Sequence, residues 1–261
     1  MTSDAENIID WRNIEAHKGP EAVQIAKNFL KWTNEINITA PDDFNTRYLN
    51  GEPIQYILGV GFFHNYHFKL NSSTLIPRPE TEELVELILS ENRSLNKATV
   101  LDIGTGCGCI PITLMLEKNT WQSVGIDIQE SALICALENS QIFNVESRMK
   151  FELVDILTEI PQFNAEIWVS NPPYIPNSEI QSIEDQVRNF EPQIALFVDD
   201  PLIFYRRIIQ LFNSDSSAQQ LWFECHQDFV LEVAALANKV NLKAKKIEDC
   251  SGNLRFILIN K

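Results

Sequence analysis

The stretch VSNPPYIP, residues 169–176, sets an asparagine, two prolines and a tyrosine directly after an apolar run. Pro172 and Pro173 cannot donate into a strand ladder or enter a helix interior, so the backbone is stiff and open here. Asn171 carries an amide donor and a carbonyl acceptor, and Tyr174 carries a flat ring. These parts suit a planar, hydrogen-bonding group such as an amide or an aromatic amine. The nitrogen of such a group is a poor nucleophile, because its lone pair is delocalised into a carbonyl or a ring. A site that modifies it must hold the NH2 on acceptors and align it with an electrophile. The Asn171 side-chain oxygen and the Pro172 carbonyl, which the following proline frees from any ladder, are the acceptors on offer. Tyr174 can pack on the flat face. The rate then comes from placement and from stabilising charge on nitrogen, with no tuned base beforehand. The bland alternative is a rigid turn, since prolines favour turns.

A second motif, LDIGTGCGCI at 101–110, joins a predicted strand to a predicted helix. Gly104, Gly106 and Gly108, with Thr105 and Cys107 between them, allow a sharp turn and close approach of a ligand to the main chain. The loop lacks the Gly-Lys-Ser/Thr ending of a triphosphate loop, and it departs from G-x-G-x-x-G at Cys109. Asp127, at the end of the next predicted strand, lies ~20 residues on, where a carboxylate can accept hydrogen bonds from ribose hydroxyls. A dinucleotide and S-adenosylmethionine both remain open at this point. Asp102 can sit near the cationic amino-acid end of S-adenosylmethionine, or it can brace the loop by a hydrogen bond. The Asn-Pro-Pro-Tyr motif has a use for a methyl donor and decides for S-adenosylmethionine.

These motifs need a frame. From residue 98 strands and helices alternate. Strands are predicted at ATVLDIG, SVGIDI, MKFELVD, AEIWVS, QQLWFE, AKKIED and NLRFILIN, and helices over ITLMLEK, ESALICALENSQIFN and DFVLEVAALANKV. The β-α-β order predicts an α/β, Rossmann-like unit with a mostly parallel seven-stranded sheet and helices on both faces. Ligands in such sheets sit at the carboxyl ends of the strands, where both motifs fall. Upstream, residues 1–60 read as a small helical unit, with an apolar stripe in PEAVQIAKNFLKWTN and Pro20 in its first turn. Residues 61–76, rich in Phe and Tyr, read as a β-hairpin connector. Residues 77–261 then form the catalytic unit, entered through IPRPE and a helix with Pro79, Glu80, Glu82 and Glu83 at its start.

Composition narrows the function. Hydrophobic residues make up 44% and charged residues 22% of 261, an ordinary globular balance. The formal net charge of -15 argues against holding bare nucleic acid by its phosphates. No apolar run approaches the ~20 residues of a membrane helix, and MTSDAENIIDW has no secretory pattern. Five cysteines at irregular spacing fit reduced thiols in a cytoplasmic setting. No Cys/His spacing makes a metal site, none of the four histidines pairs with a Ser or Cys nucleophile, and a monomer is expected.

Taken together, NGEPIQYILG (50–59), LIPRPETEELVE (75–86), LDIGTGCGCI, GIDI, VSNPPYIP, NFEPQIAL (189–196) and EDCSGNLRFIL resemble the HemK/PrmC family, from about residue 50 to the C-terminus. NPPY alone is shared with adenine-N6 DNA methyltransferases; with PRPETE it is far more restrictive. The resemblance implies a class I S-adenosylmethionine-dependent methyltransferase acting on the glutamine N5 of the Gly-Gly-Gln motif in class I peptide-chain release factors, with S-adenosylhomocysteine as product. It implies that Gly104 to Gly108 line the cofactor, that Asp127 binds its ribose, and that Asn171 to Tyr174 hold the glutamine amide. The residues Asp155 and Ile156 would lie beside adenine. The family usually has an aromatic residue where this chain has Ile156, and the match before residue 45 is poor. Arg78 and Glu80 either flank the active-site entrance or brace the interdomain hinge. The acidity suits a partner that is basic in places. The rival expectation is a nucleic-acid base amino methyltransferase of the adenine-N6 type, which would need a basic groove.

Overall fold

The computed structural model describes residues 9–261, so the first eight residues of the expected helical unit lie outside the described residues. Three helices come first: α1 (Trp11–Glu35), α2 (Phe44–Leu49) and α3 (Ile54–Leu58). Helix α1 breaks at Gly19, whose φ of 83° is left-handed, and Pro20 opens its second segment as its position predicts. Ile14, Val23, Ala26 and Leu30 of α1 pack on Phe44, Tyr48, Ile54 and Ile57 in a small core of their own.

A hairpin follows, β1 (Val60–Phe63) and β2 (Tyr66–Lys69). Its two-residue turn, His64 and Asn65, has φ of 51° and 65°. Positive φ at both turn residues matches the right-handed twist of the flanking strands. Phe63 and Phe68 are fully buried against the face of the main sheet that carries Val100, Val169 and Trp222. The Lys69 backbone is gripped by the Asn139 side chain, whose Oδ1 accepts from Lys69 N at 2.7 Å.

The remaining chain runs α4 (Pro79–Glu91), β3 (Thr99–Ile103), α5 (Cys109–Glu117), β4 (Gln122–Asp127), α6 (Glu130–Ile142), β5 (Met149–Leu153), β6 (Ile167–Ser170), β7 (Ile175–Pro176), α7 (Asp185–Phe190), β8 (Phe197–Val198), α8 (Ile203–Ser214), β9 (Gln220–Glu224), α9 (Val230–Lys239), β10 (Lys243–Glu248) and β11 (Leu254–Asn260). The main sheet has seven strands in the order β10-β11-β9-β6-β3-β4-β5. From β9 to β5 all pairs are parallel, whereas β11 is antiparallel to both β9 and β10. A tight Asp249–Asn253 turn joins the last two strands; it is too short for the crossover that a parallel pair needs.

Two features exceed the sequence expectation. Helix α8 supplies the crossover between β6 and β9, burying Tyr205, Ile208, Ile209 and Phe212 against the second face of the sheet. The chain between β6 and α8 folds into short helical turns and the β7–β8 pair, beside the carboxyl end of β6. Burial of large side chains such as Trp168 and Trp222, worth about 2–3 kcal/mol each, fixes the register on which the site depends.

Candidate active site

Strand β3 lies between β4 and β6, and β4 and β5 extend one way while β6 and β9 extend the other. The chain therefore diverges at the carboxyl end of β3, the place where open α/β sheets hold ligands. Register makes the meeting specific. Ile103 pairs with Ser170, so Gly104 and Asn171 leave the sheet side by side. Ser170 Oγ also donates to the Ile103 carbonyl at 2.7 Å. Ile103 pairs with Ile126, which sets Asp127 next to the glycine loop, and Ser170 pairs with Phe223, which sets Glu224 next to Asn171.

The glycine loop turns back on itself at once. The amides of Gly104 and Thr105 both donate to the Ile126 carbonyl at 2.9 Å. Gly104, Gly106 and Gly108 all have positive φ. At Gly108 an added Cβ would lie 2.9 Å from Ile112 Cδ1 and 3.1 Å from Ala136 Cβ, so this glycine permits helix packing. At Gly106 an added Cβ would meet nothing within 4 Å, and the open side faces a cavity of about 290 Å³.

Gly104 to Cys107, Asp127, Asp155, Ile156, Asn171, Pro172 and Pro173 all line that cavity. Gly108 stands behind it. Asp127 Oδ2 accepts from Gly106 N and its Oδ1 from Gln129 N, both at 2.9 Å. The loop-bracing carboxylate is thus Asp127, and its remaining lone pairs are available to a ligand. Burial pushes the Asp127 carboxyl up while these amides pull it back. Asp155 spends its carboxylate within its own turn, accepting from Leu157 N at 2.9 Å and from the Thr158 hydroxyl at 3.0 Å. Buried Ile156 joins Ile128 and Leu157 in the apolar wall.

Beneath the loop Asp102 is 1% exposed, and neither of its carboxylate oxygens has a hydrogen-bond partner. Burial pushes its carboxyl up to about 7, with Asp127 adding to the rise and the nearby Thr105 hydroxyl opposing it. The buried Thr105 hydroxyl faces that carboxyl in less than ideal hydrogen-bond geometry, and neither group has another partner. A buried pair so loosely joined keeps hydrogen-bonding capacity in reserve under the loop.

Tyr174 does not line this cavity. It lines a second one of about 310 Å³, together with Arg78, Ile183, Glu184, Val187 and Glu224. Asn171, Pro172 and Arg78 line both, so Asn171 stands at the junction. The Tyr174 ring packs on His226 at 5.7 Å between centroids. Burial pushes the Tyr174 hydroxyl up to about 12, so it stays a neutral phenol.

Four further contacts had no local signal in the sequence. Asn171 Nδ2 donates to Thr81 Oγ1 at 3.3 Å, and that hydroxyl donates to Glu224 Oε2 at 2.7 Å. Glu191, its side chain 1% exposed, accepts from Arg78 Nη2 at 2.5 Å and from Ile76 N at 3.2 Å. Arg78 therefore both borders the cavities and braces the entry to α4. The motif containing Glu191, NFEPQIAL, is visible in the sequence, but the partner of Glu191 lies more than a hundred residues away.

A glycine loop beside an unladdered Asn-Pro-Pro-Tyr, on this strand order, defines the class I methyltransferase fold. The methyltransferase small domain family matches residues 80–188. The hMettl16 catalytic domain, solved in complex with a MAT2A 3′UTR hairpin, superposes with a TM-score of 0.61 over 94% of this chain and 92% of its own, at 16% identity, which speaks for the fold alone. Sequence relatives narrow the class. The release factor glutamine methyltransferase of Flavobacterium psychrophilum is 42% identical, over 80% of this chain and 75% of its own. That of Leptospira interrogans is 33% identical, over 92% and 86%. The chain belongs to the release factor glutamine methyltransferase family.

Proposed function

We propose that this chain transfers a methyl group from S-adenosylmethionine to the side-chain amide nitrogen of the glutamine in the Gly-Gly-Gln motif of a class I peptide-chain release factor. The observation that carries the reading is Asn171 at the junction of two cavities, one walled by the glycine loop and the other by Tyr174. The first cavity fits S-adenosylmethionine, because Gly106 leaves the loop open toward it, Asp127 on its wall keeps lone pairs for hydroxyl donors, and the buried Asp102 carboxyl lies beneath the loop. Bound, S-adenosylmethionine supplies an electrophilic methyl group on a sulfonium centre.

The chain's own residues do the rest. The loop from Gly104 to Gly108, Asp127 and the wall at Asp155 and Ile156 hold the methyl donor. The Asn171 Oδ1 and the Pro172 carbonyl accept the two N–H bonds of the glutamine amide and offset the positive charge that develops on its nitrogen. Tyr174 covers the flat face of the amide and keeps water from it. The amide is held rather than deprotonated beforehand, and the one N–H proton lost as the methyl group arrives passes out to solvent, which suits a site without a histidine base among the lining residues of either cavity. Charge supports a protein acceptor: at -15 the chain repels phosphate backbones and attracts basic surfaces. Among the described residues no helix is long and apolar enough to cross a membrane. We place the enzyme in the cytoplasm, where ribosomes terminate. The domain reading proposed is a helical unit to residue 60 that contacts the release factor, a hairpin connector to 76, and the catalytic unit from 77.

The test is incubation with radiolabelled S-adenosylmethionine and a release factor purified from cells lacking this activity. Label should appear on the release factor and vanish when Gly-Gly-Gln becomes Gly-Gly-Ala or when the enzyme carries Asn171→Ala. Label on DNA or RNA instead would move the substrate to a nucleic-acid base. No label and no cofactor binding would end the reading.

A further inference from the structure

We infer that Thr81 and Glu224 are positioning residues that decide which end of the Asn171 carboxamide faces the acceptor amide. The inference rests on the glutamine reading of the junction and adds how that junction is set. Thr81 sits in the first turn of α4 and Glu224 ends β9, far apart in the chain and adjacent at the carboxyl edge of the sheet. Thr81 is 4% exposed and Glu224 2%, so both are largely shielded from bulk solvent.

The direction of the relay follows from counting hydrogens. A hydroxyl has one hydrogen to give. Thr81 gives it to Glu224 Oε2 at 2.7 Å. Toward Asn171, 3.3 Å away, Thr81 can then only accept, so the group facing it must be the Nδ2 amide. With Nδ2 tied back, Oδ1 is the end turned away from Thr81, toward the cavities that Asn171 separates. A flipped carboxamide would set Oδ1 against the Thr81 oxygen with no hydrogen between them. The acceptor role of Asn171 is thus imposed from behind.

The relay needs Glu224 charged. A protonated Glu224 can donate to Thr81, which frees the Thr81 hydrogen for Asn171 Oδ1 and permits the flipped carboxamide. Burial pushes the Glu224 carboxyl up to about 7, with the Thr81 hydrogen bond, Arg255 and Arg78 opposing the rise and Glu80 adding to it. The other titratable groups around it are Tyr174, Tyr205 and Cys225.

The experiment compares the full-length wild type with Thr81→Val and Thr81→Ser. The first readout needs no cofactor or acceptor: the side-chain NH2 resonances of Asn171, assigned by their loss in Asn171→Ala. In the wild type they should move with pH around about 7, as Glu224 titrates. T81V should abolish the movement and T81S should keep it. The second readout is methylation of the release factor. T81V should lower kcat by about tenfold or more while cofactor affinity stays within about twofold, and T81S should recover most of the rate. Should T81V fail to fold, E224Q carries the same test, because its amide does not titrate and the movement must vanish. Because Asp102, on the neighbouring strand, is also raised to about 7, the variants are compared in a D102N background, where Asn171 resonances that still titrate in T81V or E224Q overturn the relay. So does a T81V loss that appears as weaker cofactor binding with kcat intact. A wild type that leaves the release factor unmethylated overturns the glutamine reading, and the resonances still decide the relay.

Discussion

Asp102→Asn removes a buried charge with little change in size, and its effect should depend on pH. Burial raises the Asp102 carboxyl from an ordinary 3.8 to about 7. A carboxyl with a raised folded value binds more protons in the folded chain than in the unfolded one. Its contribution to stability therefore falls as pH rises between these two values. Between about pH 5 and about pH 8 the wild type should lose roughly 2–3 kcal/mol through Asp102 alone. Glu224, raised from 4.5 to about 7, acts in the same direction and is untouched by the substitution. Urea unfolding of both proteins at the two pH values gives the comparison. D102N should gain roughly 2–3 kcal/mol on the wild type from the acid to the neutral measurement, whatever the constant cost of burying an asparagine. Parallel stability curves would refute the placement of a titrating carboxyl under the loop. Calorimetry then extends the test to the cofactor. A cationic ammonium beside Asp102 pulls the carboxyl back down, so wild-type affinity for S-adenosylmethionine should rise with pH through about 7, and D102N should bind more weakly and without that slope.

The two glycines of the loop should separate binding from folding. Gly106→Ala costs about 1–2 kcal/mol for a left-handed alanine but should weaken cofactor binding about tenfold or more, since its methyl enters the cavity. Gly108→Ala adds a clash with Ile112 and Ala136 to the same strain, so its thermal unfolding should show a loss of about 2–4 kcal/mol. Glu191→Ala leaves the Arg78 guanidinium and the Ile76 amide without their acceptor. Because Arg78 is one-third exposed, chemical denaturation should show about 3 kcal/mol, the low end for a broken buried pair. Finally, capture of a release factor by this acidic chain should weaken about tenfold between roughly 50 and roughly 300 mM salt, and a flat response would remove charge from the recognition.

Much of the site was legible because its parts are locally constrained. Pro172 and Pro173 restrict their own backbone wherever they stand, and the loop glycines serve conformations that few other residues reach. Alternating strands and helices then imply a parallel sheet, and a parallel sheet implies an active edge. Those steps need only the order of residues along the chain. The sequence also left pairs of roles undecided. Asp102 was open to bracing the loop or to facing the cationic end of the cofactor, and in the folded chain it is Asp127 that accepts the Gly106 amide. Tyr174 falls within one motif with Asn171 yet lines only the second of the two cavities that Asn171 borders. The Asn171–Thr81 contact spans 90 residues and the Ile76–Glu191 contact 115. Nothing near either residue announces its partner. Such pairs are fixed by strand register, and register is set by the whole core, through side chains such as Trp168, Trp222 and the α8 face that sequence reading passed over. Backbone conformation is a property of a residue and its neighbours, so the sequence alone determined the motifs. Which end of Asn171 faces the acceptor depends on a hydroxyl and a carboxylate brought from elsewhere, and only the tertiary structure decided it.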